Sequence, residues 1–387
     1  MSLKRPLLLI IVLLAFVLFT TACGGAAQSA PETAAPAENA VTTAAPATTP
    51  TDSEPAETQP AAIEDMAVRQ DGRFRIVTTT TQATDLAKIL TQGINGLEIT
   101  PLMGAGVDPH LYQPTESDIA AMNAADMVIY SGLHLEGQFD AVFAALSEQG
   151  VFIYSLSRPV KDAGFVIGAF EAEAEILGAD DPHFWFDPRN WEITTLDLAG
   201  ALAALDPDNG GAYLANAEAY TAQLQALYAW ADAGMRSIPG GQRYLVTSHD
   251  AFQYFGAAFG WRMAAIQGIS TEDEAGVGDI QNTVNFIIDN QIPVLFVESS
   301  IPPNTIQAVQ SAVAANGAQV RLGVRELYSD AMGEAGDFSG AYVGMIAENV
   351  LTVLQSYQCA GVAVTIPAWP DGLTPIPPAE IIEVDCG

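Results

Sequence analysis

The stretch "DPDNGGAYLANAEAYTAQLQALYAWADAGMRSIP", residues 206–239, divides the chain and decides how the rest is read. Between Pro207 and Pro239 it is rich in Ala, Leu, Tyr and Gln and carries no proline, a composition that favours helix. Asp-Pro-Asp at its start and Ile-Pro-Gly-Gly at its end are helix start and stop signals. Such a helix extends on the order of 40 Å at 1.5 Å per residue. On either side the pattern changes to short β-rich runs alternating with helical stretches. Before it, strands are expected at 74–80, 98–103, 127–130 and 151–155, with helices in 84–94 and 136–149. After it, strands are expected at 244–247, 262–266, 294–298 and 320–324, with helices in 251–260, 277–291, 304–317 and 341–357. Alternation of this kind builds parallel sheets covered by helices. The expected fold is α/β: two α/β lobes with mainly parallel sheets joined by one long rigid helix.

The ends read differently. Lys4 and Arg5 precede the apolar run "PLLLIIVLLAFVLF" and then "TTAC", which ends at Cys23. The run is short for a membrane span and suits a signal peptide over 1–22. A cysteine directly after such a site resembles a bacterial lipoprotein signal, with Cys23 lipidated, although Thr20 stands where that signal carries an aliphatic residue. Residues 23–70 are dominated by Ala, Pro, Thr, Ser and Glu. They offer too little apolar surface to offset ordering and are expected to be a disordered tether. Export permits disulfides, and Cys359 and Cys386 remain as a pair to staple the C-terminal extension, 358–387. With 14 basic and 46 acidic residues, the net charge of −32 excludes nucleic acid and anionic lipid headgroups as partners. It is compatible with cationic ligands.

The chain has only four histidines. Two share the tripeptide Asp-Pro-His, in "GVDPHLYQPTESD" (His110) and "DPHFWFDPRNW" (His183), and each is followed by a helix start. After His110, Thr115 and Asp118 make a capping signal. A third, His249 in "YLVTSHDAF", stands between an expected strand and an expected helix. A lone histidine in such a place is more often structural than a ligand, but here three of four share it. Loops at the carboxyl ends of strands are where open α/β sheets bind ligands. Neutral imidazole is the commonest protein ligand for zinc and similar metals. A carboxylate is expected to complete the set, with Glu298 in "LFVESS" and Asp330 in "ELYSDAMG" as the candidates.

The segments "GVDPHLYQPTESD", "DPHFWFDPRNW", "TSHDAFQYFGAAFGW" and "LYSDAMGEAG", in that order, resemble the metal-binding signatures of one family. These are the substrate-binding lipoproteins of zinc and manganese ABC transporters. "GLHLE" (132–136) and "GISTEDEAG" (268–276) are also similar to family segments, and the likeness spans about residues 70–357. The resemblance implies His110 and His183 as metal ligands from a first lobe (71–205) and His249 and Asp330 from a second (239–357). The helix over 206–238 would connect the lobes and allow only modest movement between them. It further implies a monomer tethered outside the cytoplasmic membrane that delivers metal to an ABC-transporter membrane permease. Zn2+ is favoured over Mn2+, because manganese-type members place Glu at the position of His249. Against this, "VESS" and "SDAMG" look closer to the branch that includes manganese binders, and a bidentate Asp330 would admit Mn2+. The His-rich loop of zinc-type members is replaced by "EAEAEILGADD" (171–181), read as a solvated acidic loop, with cation collection as the alternative role.

Asp108, Asp181 and Asp250, each beside a ligand histidine, are expected to orient loops or imidazoles or equally to serve as solvated caps, and Glu298 to support the site. His134 is expected near a helix start, outside the ligand set, and Phe184 and Trp185 in the cleft wall. The competing reading is an exported zinc hydrolase, but the chain has no His-Glu-x-x-His helix and no evident general base beside the ligands. A surface adhesin would suit the tether and leave the histidines unexplained.

Overall fold

The computed structural model describes residues 73–168, 180–272, 274–384 and 386. The signal peptide, Cys23, the tether and most of the acidic run at 171–181 lie outside the described residues. The first lobe carries β1 (Phe74–Thr78), α1 (Thr81–Leu90), β2 (Leu97–Pro101), α2 (Glu116–Ala124), β3 (Met127–Tyr130), α3 (Asp140–Glu148), β4 (Phe152–Ser155) and α4 (Arg158–Asp162). All pairings are parallel, in the order β2-β1-β3-β4. Alternate side chains go to opposite faces, as the two-residue strand period requires. Ile76, Met127, Ile129 and Tyr154 join one apolar core, and Val77, Val128, Tyr130 and Ile153 join a second. With both faces buried, the strands read as continuous apolar runs.

Two helices lead across: α5 (Pro188–Leu205) and, after a 3-10 turn at Pro207–Asn209, α6 (Gly210–Met235). The helix expected at 206–238 is thus regular from Gly210, and its 26 residues span about 39 Å. Tyr213, Ala217, Tyr220, Leu224, Leu227, Ala231 and Gly234 are buried along it, a three-and-four spacing that forms one stripe. Gly234 permits the closest approach, since a Cβ there would lie 2.9 Å from the Leu354 side chain.

The second lobe carries β5 (Tyr244–Thr247), α7 (Gln253–Phe259), β6 (Arg262–Ala265), α8 (Val277–Asn290), β7 (Val294–Leu295), α9 (Asn304–Ala315), β8 (Arg321–Leu322) and α10 (Tyr342–Cys359). Here β5 pairs with β6 and β7 with β8, all parallel, and Phe296 N–H donates to the Val246 carbonyl at 2.9 Å across the seam. The order β6-β5-β7-β8 repeats that of the first lobe, an internal symmetry that the sequence does not display. β7 and β8 are shorter than expected. Backbone bonds continue around them, from the Gly323 N–H to the Leu295 carbonyl at 2.7 Å and from the Leu327 N–H to the Val297 carbonyl at 2.8 Å, and a Cβ on Gly323 would lie 2.7 Å from the Phe296 ring.

One apolar core runs through both lobes. It takes in Leu86 and Trp185 from the first lobe side, Leu224 from α6, Leu245 and Phe252 from the second lobe, and Val350 and Leu354 from α10. Separating the lobes widely would expose it, at a cost of about 25 cal/mol per Å² of apolar surface. The C-terminal extension folds back as a strap. Trp230 Nε1 donates to the Pro367 carbonyl at 3.1 Å, Trp230 and Trp369 pack edge to face, and Gln355 Nε2 donates to the Ile381 carbonyl at 2.9 Å. A Cys359–Cys386 disulfide closes it. Its last helix is α11 (Ala379–Ile382). Among the described residues, no helix is long and apolar enough to cross a membrane.

Candidate metal centre

Both Asp-Pro-His segments fold into the same turn. Asp108 Oδ1 accepts the His110 N–H and Asp181 Oδ1 accepts the His183 N–H, each at 2.9 Å. This is the side-chain turn that Asp makes with the backbone two residues on. The Thr115–Asp118 capping box then starts α2. Asp187 caps α5 by accepting from the Arg189 N–H, one 3-10 turn beyond His183. His110 follows β2 and His249 follows β5, as expected of strand-end loops. His183 departs from that expectation. It comes after the isolated Gly168–Asp180 bridge rather than a strand. Asp330 follows Leu327, which bridges to Glu298.

These loops bring His110, His183, His249 and Asp330 together, all buried, with one donor atom from each lying within 4.8 Å of every other. His183 Nε2 and His249 Nε2 each stand 3.3 Å from Asp330 Oδ1. The three Nε2 atoms and Asp330 Oδ1 are buried and make no hydrogen bond. Buried polar atoms are ordinarily satisfied, so four orphans converging on one point mark a place for a ligand that accepts electron pairs. The opposite edges of two rings are held. His183 Nδ1 lies 2.8 Å from Asp181 Oδ1, and His249 Nδ1 lies 2.6 Å from Glu298 Oε2. Glu298 Oε1 also accepts the Ser248 and His249 N–H groups, at 2.7 and 2.9 Å. A proton kept on Nδ1 leaves Nε2 bare in the neutral ring, the tautomer a metal needs.

The charges follow from this packing. Burial and the adjoining His183 and His249 push His110 down to about 3, against the opposing pull of Asp330. Burial also opposes charge on His183, but Asp181 and Asp330 outweigh it and push its pKa up to about 9. His249 is raised well above 6.5, with Glu298 and Asp330 overcoming its burial. Asp330 is held well below 3.8 by His249, His183 and His110 despite burial.

The neighbouring carboxylates divide between imidazoles and loops. Asp181 and Glu298 stand on imidazoles, whereas Asp108 touches only the backbone of His110 and reaches away from its ring. Asp250, also buried, accepts from Gln253 Nε2 at the start of α7 at 2.6 Å. His134 lies outside the cluster in a left-handed turn (φ 60°), with Nδ1 3.1 Å from Asp140 Oδ2. Phe184 and Trp185 are buried, and the Trp185 ring centroid is 5.3 Å from that of His183. Two further contacts went unread in the sequence. Ser300 Oγ donates to Asp330 Oδ2 at 3.1 Å, and Gln82 Nε2 donates to the Asp330 carbonyl at 3.0 Å. Single hydroxyl and amide residues in loops carry no periodic or spacing signal.

Glu298→Gln tests the imidazole support. The amide keeps an oxygen for the two backbone N–H groups but turns a donor toward His249 Nδ1, which drives the ring proton onto Nε2. Affinity for a divalent metal should fall about 10–100-fold in isothermal titration. Unchanged affinity would rule out this role for Glu298.

Two parallel α/β lobes on one long helix, with three imidazoles and a carboxylate converging between them, define a metal-binding solute-binding protein. The family model described as ZnuA, zinc-uptake complex component A, periplasmic, matches residues 76–356, and the chain belongs to this family. The chain is 38% identical over 285 residues to the zinc-binding protein TroA of Treponema pallidum (strain Nichols), covering 73% of this chain and 89% of that protein. It is 35% identical over 290 residues to the manganese-binding lipoprotein MntA of Bacillus subtilis (strain 168), covering 74% and 90%. The solved structure of the periplasmic zinc-binding protein TroA from Treponema pallidum superposes with a TM-score of 0.69 at 36% identity, covering 74% of this chain and 99% of that one. Proteins of this family are the metal-binding solute-binding components of ABC transporters and not enzymes, which removes the hydrolase reading.

Proposed function

We propose that this protein captures a single divalent transition metal, zinc in preference to manganese, and hands it to an ABC-transporter permease for uptake. His110, His183, His249 and Asp330 are the ligands in this reading. The observation that carries it is the convergence of four buried, unbonded donor atoms from both lobes. Three imidazoles and one carboxylate suit tetrahedral zinc. The Ser300 hydroxyl on Asp330 Oδ2 supports the same choice, since it leaves Oδ1 as the free oxygen and favours one-oxygen ligation. Manganese prefers a harder, oxygen-rich shell of higher coordination number. The acidic surface favours cation approach.

The protein in this proposal is a monomer held by lipidated Cys23 on the outer face of the cytoplasmic membrane. The tether of residues 23–70 carries a first lobe at 71–205, the connecting helix at 206–238, a second lobe at 239–357 and the extension at 358–387. Native mass spectrometry of metal-free protein exposed to equal zinc and manganese tests the metal assignment. One zinc per chain is expected. Manganese as the retained ion would overturn the preference, and no retained ion would overturn the function.

A further inference from the structure

The two Asp-Pro-His turns use their carboxylates differently. In the second, one oxygen of Asp181 serves both the backbone N–H and the Nδ1 of His183, so the ring is fixed from within its own turn. In the first, Asp108 Oδ1 holds the His110 N–H, while Oδ2 accepts the Thr271 hydroxyl of the second lobe at 2.7 Å. A parallel contact crosses the same gap, from Gln138 Nε2 to Glu272 Oε1 at 2.8 Å. Of the three clustered imidazoles, His110 is nearest the surface. It is 4% exposed where His183 and His249 are 0%, and the next residue, Leu111, is 53% exposed.

Resting on the ligand set proposed above, we infer that Asp108 is a positioning residue that couples His110 to lobe contact through Thr271. The rings of His183 and His249 are fixed by Asp181 and Glu298 of their own lobes, and the Asp330 carboxylate by Ser300 of its own lobe. His110 is held by a turn whose carboxylate spans the cleft. It is therefore the ligand that joins last as the lobes come together and leaves first as they part. Gln82 Nε2 on the Asp330 carbonyl and the Tyr254 hydroxyl on the Asp181 carbonyl also cross between the lobes, but at the His110 turn the crossing contact is made by the turn's own carboxylate, through Thr271. Charge-assisted bonds of this kind are worth enough to be read in a rate. The contact acts on release more than on capture, because it exists only when the lobes are already together.

The test measures zinc release from the full chain to an excess of chelator by stopped flow, together with zinc association. Thr271→Val removes the hydroxyl at nearly constant volume. It should release zinc about tenfold faster, with association within about twofold of the parent. Thr271→Ser restores the hydroxyl and should restore slow release, which a purely steric role for the threonine would not produce. His110→Ala is the control for the ligand set. If it accelerates release strongly while Thr271→Val releases at the parent rate, the coupling is overturned and the ligand set stands. If His110→Ala also leaves release unchanged, the ligand set fails and the coupling with it.

Discussion

Replacing His183 with alanine should lower zinc affinity by about a thousandfold while both lobes stay folded. A protein zinc site is worth about 10–16 kcal/mol, so one ligand of four accounts for about 3–4 kcal/mol, or some two to three decades. His183 lies at the upper end of that range. It faces Asp330 at 3.3 Å and is locked by Asp181 at 2.8 Å, so no neighbouring donor can replace it without moving a buried turn. The lobes have their own reasons to fold. The cores around Val77 and Val128 in the first, and Val246 and Ile287 in the second, do not include the site. Isothermal titration measures the affinity, and circular dichroism confirms the fold. Parent-like affinity in a folded variant would remove His183 from the ligand set.

The second large effect is one of pH, and its sign differs between the metal-free and the loaded protein. In the metal-free state His183 titrates at about 9 and His249 well above 6.5, both against the Asp330 carboxylate. Near neutral pH the cluster therefore stores protons on imidazoles, and a metal must expel them. Each proton displaced makes affinity change by about tenfold per pH unit below the relevant pKa. Release of the His183 proton alone makes zinc affinity rise about tenfold per pH unit up to about 9, and His249, also raised, steepens the rise wherever it is still protonated. Metal-free stability runs the other way. A histidine whose folded pKa lies above 6.5 contributes stability that is fully present below 6.5 and is lost as pH climbs through about 9. That loss is on the order of a few kcal/mol. Thermal melts of metal-free protein should thus fall, and those of the zinc-loaded protein should not, between pH 6.5 and 9. A flat affinity profile over that range would show that the imidazoles are not the groups displaced.

Much of the fold is legible in residue order. Continuous apolar runs such as Met127–Tyr130 and Tyr244–Thr247 match their strands end to end, because both faces are buried and no turn residue interrupts them. The ends of α1 are less legible. The helix begins at Thr81, three residues before the expected start, because Thr80 accepts the Ala83 N–H and caps it within a run of four threonines. Such a run reads equally well as strand. The matching strand orders of the two lobes leave no trace in the residues, since sheet order depends on crossovers rather than on local pattern. The site divides in the same way. His110, His183, His249 and Asp330 are visible through scarcity, repetition and likeness to a family. Their meeting depends on loops from four separate places in the chain. The roles of Asp108 and Asp250 follow from which way each side chain turns, and that is set by tertiary neighbours: Thr271 for one, Gln253 for the other. "GISTEDEAG" and "GLHLE" held the remaining signal. The first contains Thr271. The second ends on Glu136, whose buried carboxyl accepts from Thr79 Oγ1 and the Ser131 N–H.

X-ray absorption at the zinc edge, on protein loaded with one equivalent, tests the central claim most directly. The account predicts a first shell of four nitrogen and oxygen atoms at about 2.0 Å, with outer scattering from three imidazoles. A six-coordinate, oxygen-rich shell with fewer than three imidazoles would contradict it.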